Sequence, residues 1–326
     1  MENKTLKNAI QITVSLLIGG GLFWWVYKDQ DIDRMVKDFE GAKIFWILFP
    51  LALGLLSHFV RALRWKMLIE PLGKSPKTSN VFCSVLVAYF ANFILPRAGE
   101  VARCGVLKKY EGISFTGLLG TVIVERTFDM IVLLCIVAVT FAAQFDVIYS
   151  YLHSEGIIDS LASLASHPVF IGLTVLSLAL LFFFRKKIMS LSIFDKVRGM
   201  INNMISGLKS FTKMKNKWLF IFHSVMIFAL YYGMLYFSFW AFDFTENLSV
   251  LAGLVTYVIG SFGIVAPVQG GIGAWHYLTI GALGLYGVAH EQAATFAFVV
   301  HLAQMLMLIG AGAISLVVLQ VINRKK

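Results

Sequence analysis

The chain has 326 residues, 58% of them hydrophobic and 14% charged, with 28 Lys and Arg against 18 Asp and Glu. Soluble domains carry roughly 25% charged residues, so this composition, with a mean hydropathy of +0.78, excludes a soluble globular protein and describes an integral membrane protein. The net charge of +10 does not indicate nucleic acid, because the basic residues lie in loops between apolar runs, where they set topology and meet anionic lipid.

A spanning helix takes about 20 largely apolar residues. The first run, 8–27, follows Lys4 and Lys7 and ends in Phe23-Trp24-Trp25-Val26-Tyr27. That interfacial aromatic belt, with no small-x-small cleavage site, predicts a retained span and not a cleaved signal peptide. Further spans are expected at 44–65, 116–142, 168–184, 218–241 and 294–320. Two more apolar regions, 79–107 and 249–288, are interrupted, one by Leu95-Pro96-Arg97-Ala98-Gly99 and the other by Ala266-Pro267-Val268-Gln269-Gly270-Gly271-Ile272-Gly273. Backbone groups released by proline and glycine within a bilayer must be satisfied by protein or water. Each region therefore reads as a re-entrant hairpin beside a polar cavity.

Loop charge orients the chain. Residues 61–78 hold Arg61, Arg64, Lys66, Lys74 and Lys77, residues 97–109 hold Arg97, Arg103, Lys108 and Lys109, and residues 185–217 hold nine Lys and Arg. Residues 143–167 and 241–293 hold none. The consistent solution is an all-α polytopic protein of six full spans plus two re-entrant broken hairpins. Both termini are then cytoplasmic, in the plasma (inner) membrane of a prokaryote. The loop 28–43 falls outside despite four basic residues, which are offset by five acidic ones.

Residues 8–142 read as span, short amphipathic helix (Ile32, Met35, Val36, Phe39), span, broken hairpin, span. Residues 168–320 read in the same order, with a longer amphipathic helix marked by Phe194, Val197, Ile201, Met204, Leu208 and Phe211. One apolar face with Lys196, Arg198, Lys209 and Lys213 elsewhere suits a helix lying in the headgroup layer. The halves start on opposite sides and form an inverted-topology repeat, joined by an external loop at 143–167, within a single membrane domain 1–326. Paired broken segments in such repeats mark a substrate site near the midplane. The two breaks should approach each other there.

Charges inside the bilayer are costly and point to function. Arg97, Glu100 and Arg103 are spaced by three, so on a helix after Gly99 the last two share a face and can pair. An arginine at such a break suits a lipid phosphate through its bidentate fork; alternatively it marks the interface and snorkels. Glu125 and Asp129, four apart with Arg126 between them, open the next span. They carry a proton or a cationic headgroup, or they form an ion-pair network with Arg97, Arg103, Arg61 or Arg64, a structural part that also suits Arg126. Arg61 and Arg64 otherwise read as topology determinants. In the second break, Gln269, Gly270 and Gly271 leave amide groups free to meet a ligand, and a helix starting near Gly273 would aim its positive end at a phosphate. His276 there is a titrating ligand group or a satisfied core histidine.

Other chemistries fail on spacing. His290-Glu291-Gln292-Ala293-Ala294 lacks the second histidine of a zinc protease. There is neither a P-loop nor a G-x-S-x-G elbow, and Cys83, Cys104 and Cys135 are scattered without metal spacing. Gly310-Ala311-Gly312-Ala313 reads as close helix packing. No cofactor or metal is expected.

These motifs, in this order, resemble the membrane region of lysylphosphatidylglycerol synthases and the stand-alone flippase-like proteins related to it. The matching residues are Arg61, Arg64 and Trp65; Leu95 to Glu100 with Arg103; Glu125 and Arg126 with Asp129; and Pro267 to Gly273. The likeness covers nearly the whole chain. In that family the second hairpin commonly reads P-x-P-G-G-x-G-x-x-E, whereas here Gln269 replaces the second proline and His276 stands where the acid is expected. Bifunctional members add a soluble aminoacyl-transferase domain. This chain ends six residues after its last span, so that enzyme activity is not expected.

The resemblance implies a flippase-like protein that binds and translocates a phospholipid or lipid-linked headgroup, its partner being a membrane lipid with an anionic or phosphate-bearing headgroup. Arg97, Arg103, Gly270 and Gly271 would contact phosphate, while Glu125 and Asp129 balance charge or couple protons. Two alternatives are a non-transporting accessory protein that presents lipid to a separate enzyme, and an integral polyprenyl-phosphate enzyme using Glu100, Glu125 and Asp129. Oligomeric state is not legible.

Overall fold

The structure is a computed structural model. It describes residues 2–95, 98–154, 216–266 and 268–324, with single positions between 160 and 177. Arg97, Pro96, Pro267, most of the expected span 168–184 and the amphipathic segment 194–211 lie outside the described residues.

The described residues form two compact units, Met1–Thr140 with Trp218–Lys326, and Phe141–Lys217. The regular elements are helical throughout: α1 (Glu2–Tyr27), α2 (Ile32–Glu40), α3 (Phe45–Ile69), α4 (Thr78–Ile94), α5 (Gly99–Glu111), α6 (Phe115–Ala143), α7 (Phe145–Ser154), α8 (Lys217–Ser238), α9 (Val250–Val265), α10 (Ala274–Gly284) and α11 (His290–Ile322). Among these, α3, α8 and α11, the first two with their following turns, are long and apolar enough to cross a membrane, and shorter apolar helices lie at Ile12–Tyr27, Thr78–Ile94 and Val250–Val265. In the second unit, α7 stacks Phe145 on Tyr149 at 5.8 Å.

The two interrupted regions fold as helix pairs, α4 with α5 and α9 with α10. Each pair closes on a glycine. A Cβ on Gly99 would meet Asn92 Nδ2 at 2.7 Å, and the Gly99 N–H donates to Asn92 Oδ1 at 2.8 Å. In the second pair, a Cβ on Gly263 would lie 2.6 Å from the Trp275 backbone. The turn of the second pair uses φ values of +59° at Gly270, +79° at Gly271 and +78° at Gly273, a region that residues with a Cβ adopt at a cost.

Around these pairs, α4 packs on α11, where Gly312 lets Phe90 and the Leu86 carbonyl approach. α1 runs against Gly273, whose absent side chain leaves room for Leu22. The main apolar core gathers Phe239, Phe242, Trp275, Leu283, Phe296 and Val300 from α8 to α11. The short helix α2 is capped by Asp31, which accepts from the Arg34 N–H. Its polar side meets α11 through Arg34–Glu291 and Thr295–Asp38, and Ile32, Val36 and Phe39 are exposed. That arrangement suits a helix lying along a membrane surface.

Candidate functional site

Six charged side chains from three helices, one of them an arm of the first hairpin, converge. α3 supplies Arg61 and Arg64, three apart and so on one face; α5 supplies Arg103; α6 supplies Glu125, Arg126 and Asp129. Arg61 Nη1 donates to Glu125 Oε1 at 2.8 Å and to Asp129 Oδ2 at 2.7 Å. Arg64 Nη2 reaches Asp129 Oδ1 at 2.5 Å, and its Nη1 donates to Ser224 Oγ of α8 at 3.0 Å. Arg103 Nη1 donates to Glu125 Oε2 at 2.8 Å. Arg126 closes the set, 3.2 Å from Glu125 and 3.4 Å from Asp129.

The cluster is dry on one side and open on the other. Arg61, Arg64, Arg103 and Glu125 are at most 3% exposed, whereas the Arg126 side chain is 44% exposed. Beside it lies a small cavity of about 50 Å³ lined by Arg61, Tyr89, Asn92, Glu100, Arg103 and Arg126, with Val85, Ala88 and Gly99. Four guanidinium groups face two carboxylates in the cluster, leaving it doubly positive. Arg103 Nη2 is buried without a hydrogen-bond partner, as are the Nε atoms of Arg61 and Arg64. Buried donors of this kind are expensive to leave unmatched. The Arg103 plane is fixed from behind by Trp65, whose ring centroid lies 4.3 Å from its Cζ. Trp65 in turn donates through Nε1 to Thr121 Oγ1 at 2.9 Å.

The expected residues are therefore divided between two places. Glu100, Arg103 and Arg126 line the cavity, while Glu125 and Asp129 stand behind it as counter-ions. Arg103 pairs with Glu125, and the Glu100–Arg103 pair suggested by helical spacing is not formed. Arg61 and Arg64, read chiefly as topology determinants, sit fully inside the network. Gln269, Gly270, Gly271 and His276 do not line this cavity. Gln269 accepts from Ser15 Oγ at 3.0 Å, the Gly270 carbonyl lies 2.9 Å from His301 Nε2, and His276 Nδ1 accepts from the Gly273 N–H at 3.1 Å. The imidazoles of His276 and His301 meet edge to face at 4.6 Å, with Trp275 stacked on His301 at 4.9 Å. The two breaks do come together: a Cβ on Gly270 would lie 2.6 Å from the Phe93 ring of α4.

Sequence reasoning missed Tyr89, Asn92 and Ser224. Asn92 left a faint signal as an amide near the end of an apolar run, seven residues before a glycine. Among the described residues, no group of three or more His, Cys, Asp or Glu is placed to hold a metal ion.

The family model for the lysylphosphatidylglycerol synthase transmembrane region matches residues 12–312. The chain belongs to that family of integral membrane proteins. It is also similar to a UPF0104 membrane protein of Methanocaldococcus jannaschii, 28% identical over 137 residues, which covers 41% of this chain and 40% of the relative. No solved structure matches the chain.

Proposed function

We propose that the protein binds the phosphate-bearing headgroup of a membrane lipid in the arginine-lined cavity and carries it across the bilayer, with the acyl chains left in lipid. The observation that carries this reading is Arg103: an enclosed guanidinium with an unpartnered Nη2, braced on Trp65, at the wall of a polar cavity in a membrane protein. A phosphate oxygen satisfies that donor through a charge-assisted hydrogen bond. The cluster's excess of positive charge favours an anion. Glu100 on the same wall gives the cavity one acceptor for a donor on the headgroup.

Around this site we infer six full spans, two re-entrant hairpins and an inverted repeat in a prokaryotic plasma membrane, with both termini cytoplasmic. The matching glycine closures of the two hairpins and the meeting of Phe93 with Gly270 support that arrangement. Arg97, within the first break of the sequence, is assigned to the same anion path in this reading, whereas Gln269, Gly270, Gly271 and His276 serve as packing support for the hairpins.

The test is headgroup translocation of fluorescent anionic phospholipid in liposomes. Wild-type protein moves the lipid between leaflets, and Arg103→Gln lowers the rate at least tenfold; equal rates for the two would sink the assignment. Wild-type protein that binds lipid without moving it would identify a lipid-presenting protein instead.

A further inference from the structure

Glu125 and Asp129 are poorly suited to carry protons, because protonating either one leaves arginines that now have a buried counter-ion without it. A different titratable group, with no counter-ion, lies behind the cavity wall against Tyr89. His58 lies on α3, one turn before Arg61, and is 3% exposed. Its Nδ1 is 3.3 Å from Tyr231 Oη of α8, and Tyr231 Oη is 2.9 Å from Tyr89 Oη of α4. Tyr89 lines the cavity. The imidazole also lies against the Tyr89 ring, with centroids 4.2 Å apart.

We infer that His58 is a proton-binding site linked to the headgroup cavity through Tyr231 and Tyr89, so that each anionic headgroup is taken up together with a proton. This rests on the cavity's being a headgroup site. A hydronium ion entering the cavity gives its proton to Tyr89 Oη and leaves as water; Tyr89 passes its own hydroxyl proton to Tyr231 Oη; Tyr231 passes its proton to His58 Nδ1. Both phenols end neutral, and the imidazole ends as imidazolium with one proton taken from bulk solution. The groups facing His58 are Tyr89 from α4, Tyr231 from α8 and Arg61 on its own helix, with Arg126 and Asp129 of α6 beyond Arg61 and Tyr257 of α9 packed beside Tyr231. With the cavity empty, a doubly positive cluster repels a further cation at His58. An anion in the cavity lifts that repulsion. By reciprocity the protonated imidazole then tightens anion binding by the same factor.

The probe is dihexanoyl phosphatidylglycerol, whose phosphodiester does not titrate near neutrality, with the full-length protein in detergent between about pH 5 and 8. The expected result is one proton taken up per probe bound, measured by calorimetry in buffers of different ionisation enthalpy. Affinity should rise by as much as about tenfold per pH unit on acidification. His58→Gln keeps binding and loses both the proton uptake and the pH dependence. Tyr231→Phe and Tyr89→Phe keep the rings and slow proton uptake about tenfold or more in stopped flow. Binding by the wild type without proton uptake, or the wild-type pH profile in His58→Gln, overturns the proton site and leaves the headgroup cavity standing. Absence of probe binding by the wild type overturns the cavity reading and this inference together. If His58→Gln does not fold, unchanged uptake rates in both tyrosine variants overturn the relay.

Discussion

Glu125 is enclosed and touched by four guanidinium groups, those of Arg61, Arg64, Arg103 and Arg126. Removing one partner from a buried ion network leaves uncompensated charge and costs about 3–5 kcal/mol. Glu125→Gln is therefore expected to lower the unfolding free energy in detergent by that amount, whereas Arg126→Gln, at a half-exposed position, costs much less. Arg103→Lys keeps the charge but loses the planar fork and its stacking on Trp65. It should weaken anionic lipid binding about tenfold or more without matching the instability of Glu125→Gln. The need of Glu125 and Asp129 for cationic partners was legible in the sequence, because a carboxylate within a span is costly unless paired. The depth of Arg61 and Arg64 was not. Basic residues at the end of an apolar run read alike whether they reach water or turn inward to an acid 61 to 68 residues away.

At the scale of elements, glycine decides how closely the hairpin arms approach. Gly263→Ala places a methyl group 2.6 Å from the Trp275 backbone, which cannot swing aside as a side-chain tip can. Overpacking of this kind costs about 1–3 kcal/mol, readable as a lower melting midpoint, whereas Gly281→Ala meets open space and should be neutral. The helical runs and their interruptions were legible because apolar length and Pro/Gly breaks are local properties of the chain. Which break would carry the cavity was not. Gln269, Gly270, Gly271 and His276 have the composition of a ligand loop, but their polar groups are taken up by Ser15, His301 and Gly273. Only tertiary contacts reveal that a glycine turn is already filled.

At the scale of the molecule, the inferred orientation sets which loops meet water on which side. Single cysteines placed at Lys74 and at Ser166, in a background lacking Cys83, Cys104 and Cys135, should label from opposite faces of sealed vesicles; labelling from the same face would refute the six-span arrangement. A clasp ties the start of α3 to the turn after α8: Lys43 Nζ contacts Glu246 at 2.5 Å and Asp243 at 2.9 Å. The Glu246 hydrogen bond, then that to Asp243, holds the Lys43 ammonium above its ordinary pKa. A raised lysine pKa means the stabilisation is fully present below the free-lysine value and fades only as pH climbs through the raised one. Charge-pair screening by salt should loosen this exposed clasp, and proteolysis of the 241–249 loop should quicken at high ionic strength while the enclosed arginine cluster holds.

The contact between Phe93 and Gly270 has a mechanical side. The ring occupies the volume that any side chain at 270 would claim; it stands one residue before the end of α4, and the Gly270 carbonyl meets His301. The two breaks thus share a single steric boundary, like meshed teeth. α4 cannot advance toward the second turn without displacing it, and that turn cannot tighten without pressing on the arm that bears Tyr89 and Asn92.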